Sequence, residues 1–235
     1  MAEVGDRYRV SAGALVFRAL FRPVFRGVFH LLSRVLLTGR ENIPAQGPYL
    51  IAVNHVSLYE PPLVLAFWPV APEAVGAADI WERPGQATLA RLYGGIPVHR
   101  GEYDRRLLDS MLRVLESGLP LLIAPEGGRS HHPGMRRALP GVAYVVDRSR
   151  VPVVPVGVVG AADDFLVRAL RGERPPLSLH VGPALRFEPV TARGEARREA
   201  LQQNADLVMT RIAALLPPEY HGVYARQGSV ISEAT

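Results

Sequence analysis

The sequence predicts an α/β fold: a single domain with a mixed, largely parallel sheet flanked by helices, preceded by an N-terminal pair of amphipathic helices. Three observations carry this expectation. Short apolar runs of strand length alternate with stretches of helix length from about residue 49 to residue 216, the pattern of layered α/β domains. The chain has 235 residues, 48% of them apolar, enough for one large core that buries roughly 70% of the unfolded chain's surface. Charge is also segregated: residues 1–40 hold seven arginines and two acids, the rest of the chain 20 of each, so the net charge of +5 lies ahead of the alternating region. The expected organisation is N-terminal helices over 1–37, the main domain over 38–220 and a tail over 221–235.

The N-terminal segment comes first. Arg18, Arg22, Arg26, His30 and Arg34 recur every four residues among phenylalanine, leucine and valine. At about 100° per residue each step turns the stripe by only about 40°, so the polar groups share one slowly rotating face. Pro23 predicts a break into two short helices. Arginines interrupt every apolar run well short of the roughly 20 residues a membrane-spanning helix needs, and the pattern is equally unlike a signal peptide. A basic amphipathic pair fits a segment lying in a membrane interface, with arginine on lipid phosphate and phenylalanine in the acyl boundary. Packing on the protein's own core is the alternative that amphipathicity equally permits.

Downstream, strands are expected at 49–53, 73–77, 95–98, 119–124, 153–158 and 177–181, with helices at about 61–69, 84–93, 102–117, 138–148 and 194–216. The last helix places Leu201, Ala205, Val208, Ile212 and Leu215 at helical spacing and stops before Pro217-Pro218. Composition narrows the chemistry. The chain has no cysteine, which excludes thiol nucleophiles, disulfides and zinc ribbons. All 27 of its basic residues are arginine, which excludes Schiff-base and Walker-lysine chemistry. A basic excess confined to one end is unlike the basic face of a nucleic-acid binder, so no nucleic-acid partner is expected.

Candidate chemistry lies where strands end. The strand at 49–53 runs into Asn54-His55-Val56-Ser57-Leu58-Tyr59-Glu60-Pro61-Pro62. Mid-helix, residues five apart stand about 140° from each other. Pro61 disfavours helical geometry at Glu60 and suits a first helical turn, so the helix is expected from about Pro61. His55 then lies in the preceding turn, able to fold back on Glu60. A histidine held by a carboxylate has its tautomer set and its basicity raised, as a general base requires. A second strand ends in Ala124-Pro125-Glu126-Gly127-Gly128-Arg129-Ser130, where glycines let main-chain N–H groups approach an anion and an arginine fork matches phosphate. A third carries Gly95-Ile96-Pro97-Val98-His99-Arg100.

With these blocks in hand, the sequence resembles the glycerolipid acyltransferases that include lysophosphatidic acid acyltransferase. The resemblance covers about residues 38–190. It rests on four ordered blocks: Gly39–Pro44 leading into Asn54-His55 and Glu60; Gly95–Arg100; Ala124–Ser130; and Val151-Pro152-Val153-Val154-Pro155-Val156. It implies acyl transfer from a thioester, acyl-CoA or acyl-carrier protein, to the hydroxyl of 1-acylglycerol-3-phosphate, giving phosphatidic acid. In that implied scheme His55 takes the hydroxyl proton and Glu60 orients the imidazole. Arg100, Glu126, Gly127, Gly128 and Arg129 fall at the positions associated with the acceptor's phosphate. No metal or other cofactor is implied. The implied partners are a lysophospholipid acceptor, the acyl donor and a membrane surface, met by a monotopic protein on the cytoplasmic face.

Several positions depart from the family pattern. Glu60 stands where the family has aspartate, Gly128 replaces threonine, and Ala78 stands where many members carry lysine. Pro97 and His99 are also uncommon. These departures keep open a different lysolipid, an amino-acid lipid or a glycolipid as acceptor. A non-catalytic membrane-binding relative is the remaining alternative.

Overall fold

The computed structural model describes residues 8–98 and 105–225. Among the described residues seven strands form one sheet: β1 (Arg34–Thr38), β2 (Leu50–Val53), β3 (Glu73–Ala77), β4 (Ile96–Val98), β5 (Leu121–Ile123), β6 (Val153–Val159) and β7 (Pro176–Val181). Their spatial order is β1-β7-β6-β2-β5-β3-β4. All neighbours are parallel except β6 and β7, which are antiparallel. β2 is central, with Leu50 opposite both Leu121 of β5 and Val153 of β6. All four of its residues are buried, as expected of a strand covered on both faces.

Alternate strand residues feed two cores. Leu50, Ala52, Leu121, Ile123 and Val153 pack with α4 (Arg105–Glu116), α5 (Gly141–Ser149) and α7 (Gly194–Ala213). Ile51, Val53, Leu122, Val154 and Val156 pack on the other side with α1 (Ala12–Leu32), α2 (Glu60–Phe67), α6 (Phe165–Leu170) and Tyr93 of α3 (Gln86–Tyr93). Because β6, β2 and β5 are adjacent and parallel, their carboxyl ends stand side by side. The loops after them therefore converge at one edge, where ligands bind in open α/β sheets.

The six expected strands all form. The expected N-terminal helix pair does not: residues 12–32 form one helix with Pro23 inside it. A mid-helix proline costs about 3 kcal/mol, and contacts on both sides of it offset that cost. Ahead of Pro23, Arg18 forms a buried, two-pronged ion pair with Glu73 and donates from Nε to the Tyr93 carbonyl at 2.9 Å. Arg22 donates to the carbonyls of Trp68 and Pro69, and beyond the proline Arg26 donates to Ala66 O at 2.6 Å. Hydrogen bonds from a charged donor contribute about 1.5–3 kcal/mol each. The arginine stripe thus lies against the protein, correcting the expectation that Arg18, Arg22 and Arg26 meet lipid phosphate. The helix face left outside carries Leu15, Val16, Leu20, Val24, Val28 and Leu31, with no arginine or acid among its exposed residues.

Three further differences concern boundaries. Residues 34–37, expected in the N-terminal segment, form with Thr38 the edge strand β1 paired with β7. α6 had no forecast, being only six residues long. Tyr224 is buried and its hydroxyl donates to Asp206 at 2.7 Å, so packed structure extends past the expected end of the domain at residue 220.

Candidate active site

The β2–α2 loop supplies the first half of the site. Asn54 is buried and bridges to β6, donating from Nδ2 to Val158 O at 3.0 Å and accepting from Val158 N at 2.7 Å. This pins the end of β2 where the chain turns. His55 and Glu60 come together as the sequence predicted, with His55 Nδ1 3.3 Å from Glu60 Oε2. The carboxylate is almost wholly buried, at 1% exposure, and the imidazole is 14% exposed. Glu60 opens α2, one residue earlier than expected, with Pro61 and Pro62 following in the first turn.

Burying that carboxylate requires compensation, which the same loop provides. Glu60 Oε1 accepts from Val56 N at 3.2 Å and Ser57 N at 2.9 Å, and Oε2 accepts from Ser57 N at 3.0 Å. The glutamate, one methylene longer than aspartate, reaches back over three and four residues to do this. Ser57 is fully buried, and its Oγ caps the Tyr59 N–H at 3.1 Å. Its structural part was missed in the sequence, although Ser57-x-x-Glu60 is the capping-box spacing, which signals this reach-back.

The β5–α5 loop supplies the second half. Ser130 N donates to His55 O at 2.9 Å and His131 N to Val56 O at 3.0 Å, zipping this loop onto the first. Gly127 makes the turn at φ 66°, a left-handed conformation that favours glycine. Gly128 is buried. Arg129 is half-buried, and no carboxylate or carbonyl among the described residues holds its guanidinium. Glu126 points inward: Oε1 accepts from His55 N at 2.8 Å and Oε2 from Arg136 N at 2.7 Å. Burial pushes its pKa up to about 7, against the pull of those two N–H groups. Arg100 lies outside the described residues.

His55, Glu60, Glu126, Gly127, Gly128 and Arg129 thus occupy two adjoining loops. Beside them the structure adds a pair the sequence did not flag: His131 Nδ1 lies 3.0 Å from Asp163 Oδ2 of the β6–α6 loop. No spacing rule links residues 32 apart. They meet because β2 lies between β5 and β6 in the sheet and the His131 segment is bonded onto the loop that follows β2.

A histidine held by a buried carboxylate, on a loop bonded to one whose arginine has no partner among the described residues, at the carboxyl ends of parallel strands, is an arrangement for proton transfer beside an anion. The Acyltransferase family model matches residues 34–159, more than half of the chain, and the chain belongs to that family of acyl-transferring enzymes. Its fold is similar to that of the crystal structure of PlsC, the 1-acyl-sn-glycerophosphate (LPA) acyltransferase from Thermotoga maritima. That comparison has a TM-score of 0.60 at 21% identity and covers 83% of this chain and 80% of that one.

Proposed function

We propose that this enzyme moves a fatty acyl group from a thioester, acyl-CoA or acyl-carrier protein, to the free hydroxyl of 1-acylglycerol-3-phosphate, giving phosphatidic acid. The observation that carries the reading is the His55–Glu60 pair with its collar of main-chain N–H groups. Glu60 accepts from Nδ1, which leaves Nε2 for the acceptor. Nε2 takes the hydroxyl proton as the oxygen attacks the thioester carbonyl, and the carboxylate stabilises the imidazolium. The carbon–sulfur bond then breaks and the proton passes to sulfur; a thiolate with a pKa near 8.5 needs little help to leave. Arg129, which has no carboxylate partner among the described residues, supplies the fork for the acceptor's phosphate, and we assign Arg100 to the same phosphate by the family pattern. Gly128 supports a second reading in which the acceptor is another lysolipid, because the loop lacks the family's threonine hydroxyl.

The apolar outer face of α1 supports a monotopic membrane partner. Among the described residues no helix is long and apolar enough to cross a bilayer. With its arginines turned inward, α1 would be held by burial of leucine and valine. Vesicle binding should then resist high salt, and Leu20→Glu should abolish it without lowering Tm. Loss of binding in salt would instead indicate an electrostatic attachment.

The deciding experiment for the activity uses purified protein, radiolabelled acyl-CoA or acyl-carrier protein, and a panel of lysolipids. The proposal expects lysophosphatidic acid as the best acceptor, with Arg129→Ala raising its KM while kcat holds. Preference for an acceptor without a phosphomonoester moves the assignment to the second reading, and no transfer at all rejects both.

A further inference from the structure

Glu126 stands in the loop assigned to a phosphate, yet a carboxylate there would repel that anion. It is 3% exposed, and each of its oxygens already has a main-chain N–H, from His55 at 2.8 Å and from Arg136 at 2.7 Å. The two donors belong to different segments: His55 to the β2–α2 loop, Arg136 to the stretch leading into α5. Neither is a side chain that could swing aside for a substrate. The ionisable groups around Glu126 are Glu60 and His55 from the first segment and Arg136 from the second.

His55 is consequently clamped through its main chain on both sides. Its N–H is held by Glu126, and four residues along the same loop Ser130 N holds its carbonyl at 2.9 Å. Glu60 fixes the ring, but a ring is only as well placed as the backbone that carries it. We propose that Glu126 is a positioning residue, whose carboxylate bridges His55 and Arg136 to hold the imidazole in register with the acceptor hydroxyl, and that it does not bind the acceptor's phosphate. This rests on the acyl-transfer reading and replaces the phosphate role that the family pattern implied for Glu126.

Kinetics of the full chain separate the two roles. Glutamine keeps the size of Glu126 but turns an amide N–H₂ toward one of the two main-chain donors; aspartate keeps the charge but cannot span both. Both Glu126→Gln and Glu126→Asp should lower kcat, by about 10²-fold if the imidazole moves about 1 Å. KM for lysophosphatidic acid, and inhibition by glycerol 3-phosphate, should stay at wild-type values. Rates are normalised to the folded fraction from circular dichroism. A raised KM and weakened inhibition with kcat intact would return Glu126 to the phosphate, and unchanged kinetics would remove it from the site. Amide exchange in the wild type supplies a check needing no variant: the His55 N–H should exchange slowly, and fast exchange in the folded protein overturns the bridge. His55→Ala distinguishes this proposal from the reading beneath it. If that variant keeps full rate, acyl transfer through His55 fails; if it is dead while Glu126→Gln keeps full kcat, only the positioning role fails.

Discussion

His55–Glu60 and His131–Asp163 join the same two functional groups across 3.3 and 3.0 Å, at the same edge of the sheet. The shorter contact belongs to the less specialised pair. His131 and Asp163 are 56% and 47% exposed, each free to exchange its partner for water. Glu60 is 1% exposed and is held by the N–H groups of Val56 and Ser57, so it cannot relax away from His55. What separates the pairs is the work done on the carboxylate: desolvation strengthens its field, and main-chain donors fix its place. Distance alone would have ranked the exposed pair first.

That contrast can be broken most severely at His55. His55→Ala should reduce turnover by about 10²-fold or more with the fold intact, measured as initial rate against a circular dichroism control. A wild-type rate would place the chemistry elsewhere. Next comes Glu60→Asp, which restores the residue type of the family pattern. In this loop the shorter side chain forfeits part of its reach to Val56 and Ser57, and the rate should fall by up to about 10²-fold. A faster enzyme would show that the collar is incidental.

A pH experiment sharpens the same point through Glu126. Its pKa is raised by burial to about 7 from a carboxylate's 4.5, so between those values the folded state holds the extra proton. The linked stability is greatest in acid and is lost as pH rises through 7. Wild type should therefore lose stability relative to Glu126→Gln between pH 5 and pH 8, read from paired thermal melts; parallel curves would mean that Glu126 titrates normally. The smallest effect belongs to the exposed pair. His131→Ala should change stability by about 0–1 kcal/mol and leave kcat within the assay's scatter. A large rate loss would make His131 part of the machinery and erase the contrast.

Much of the fold could be read locally. Strand-length apolar runs such as Val153–Val158 and the periodic helix ending before Pro217 announce themselves within one window of sequence. β1 did not, because Arg34-Val-Leu-Leu-Thr38 continues the pattern of the helix before it and becomes a strand only by pairing with β7, some 140 residues away. α6 escaped notice at six residues. Pro23 misled for a related reason: its local penalty is real, but Arg18, Arg22 and Arg26 bind groups 40 to 75 residues distant that outweigh it.

By itself, the sequence determined the α/β class, the His55–Glu60 turn and the glycine-arginine loop, because proline, glycine and hydrophobic periodicity act over a few residues and need no partner. The tertiary structure alone decided which way α1 faces, where Glu126 points and which histidine has a buried carboxylate. An amphipathic stripe records that two faces differ without recording which is inward, and an anionic side chain takes its role from whichever donors the fold delivers to it. Here those donors come from the loops after β2 and β5, some 70 residues apart in the chain and adjacent only once the sheet has formed.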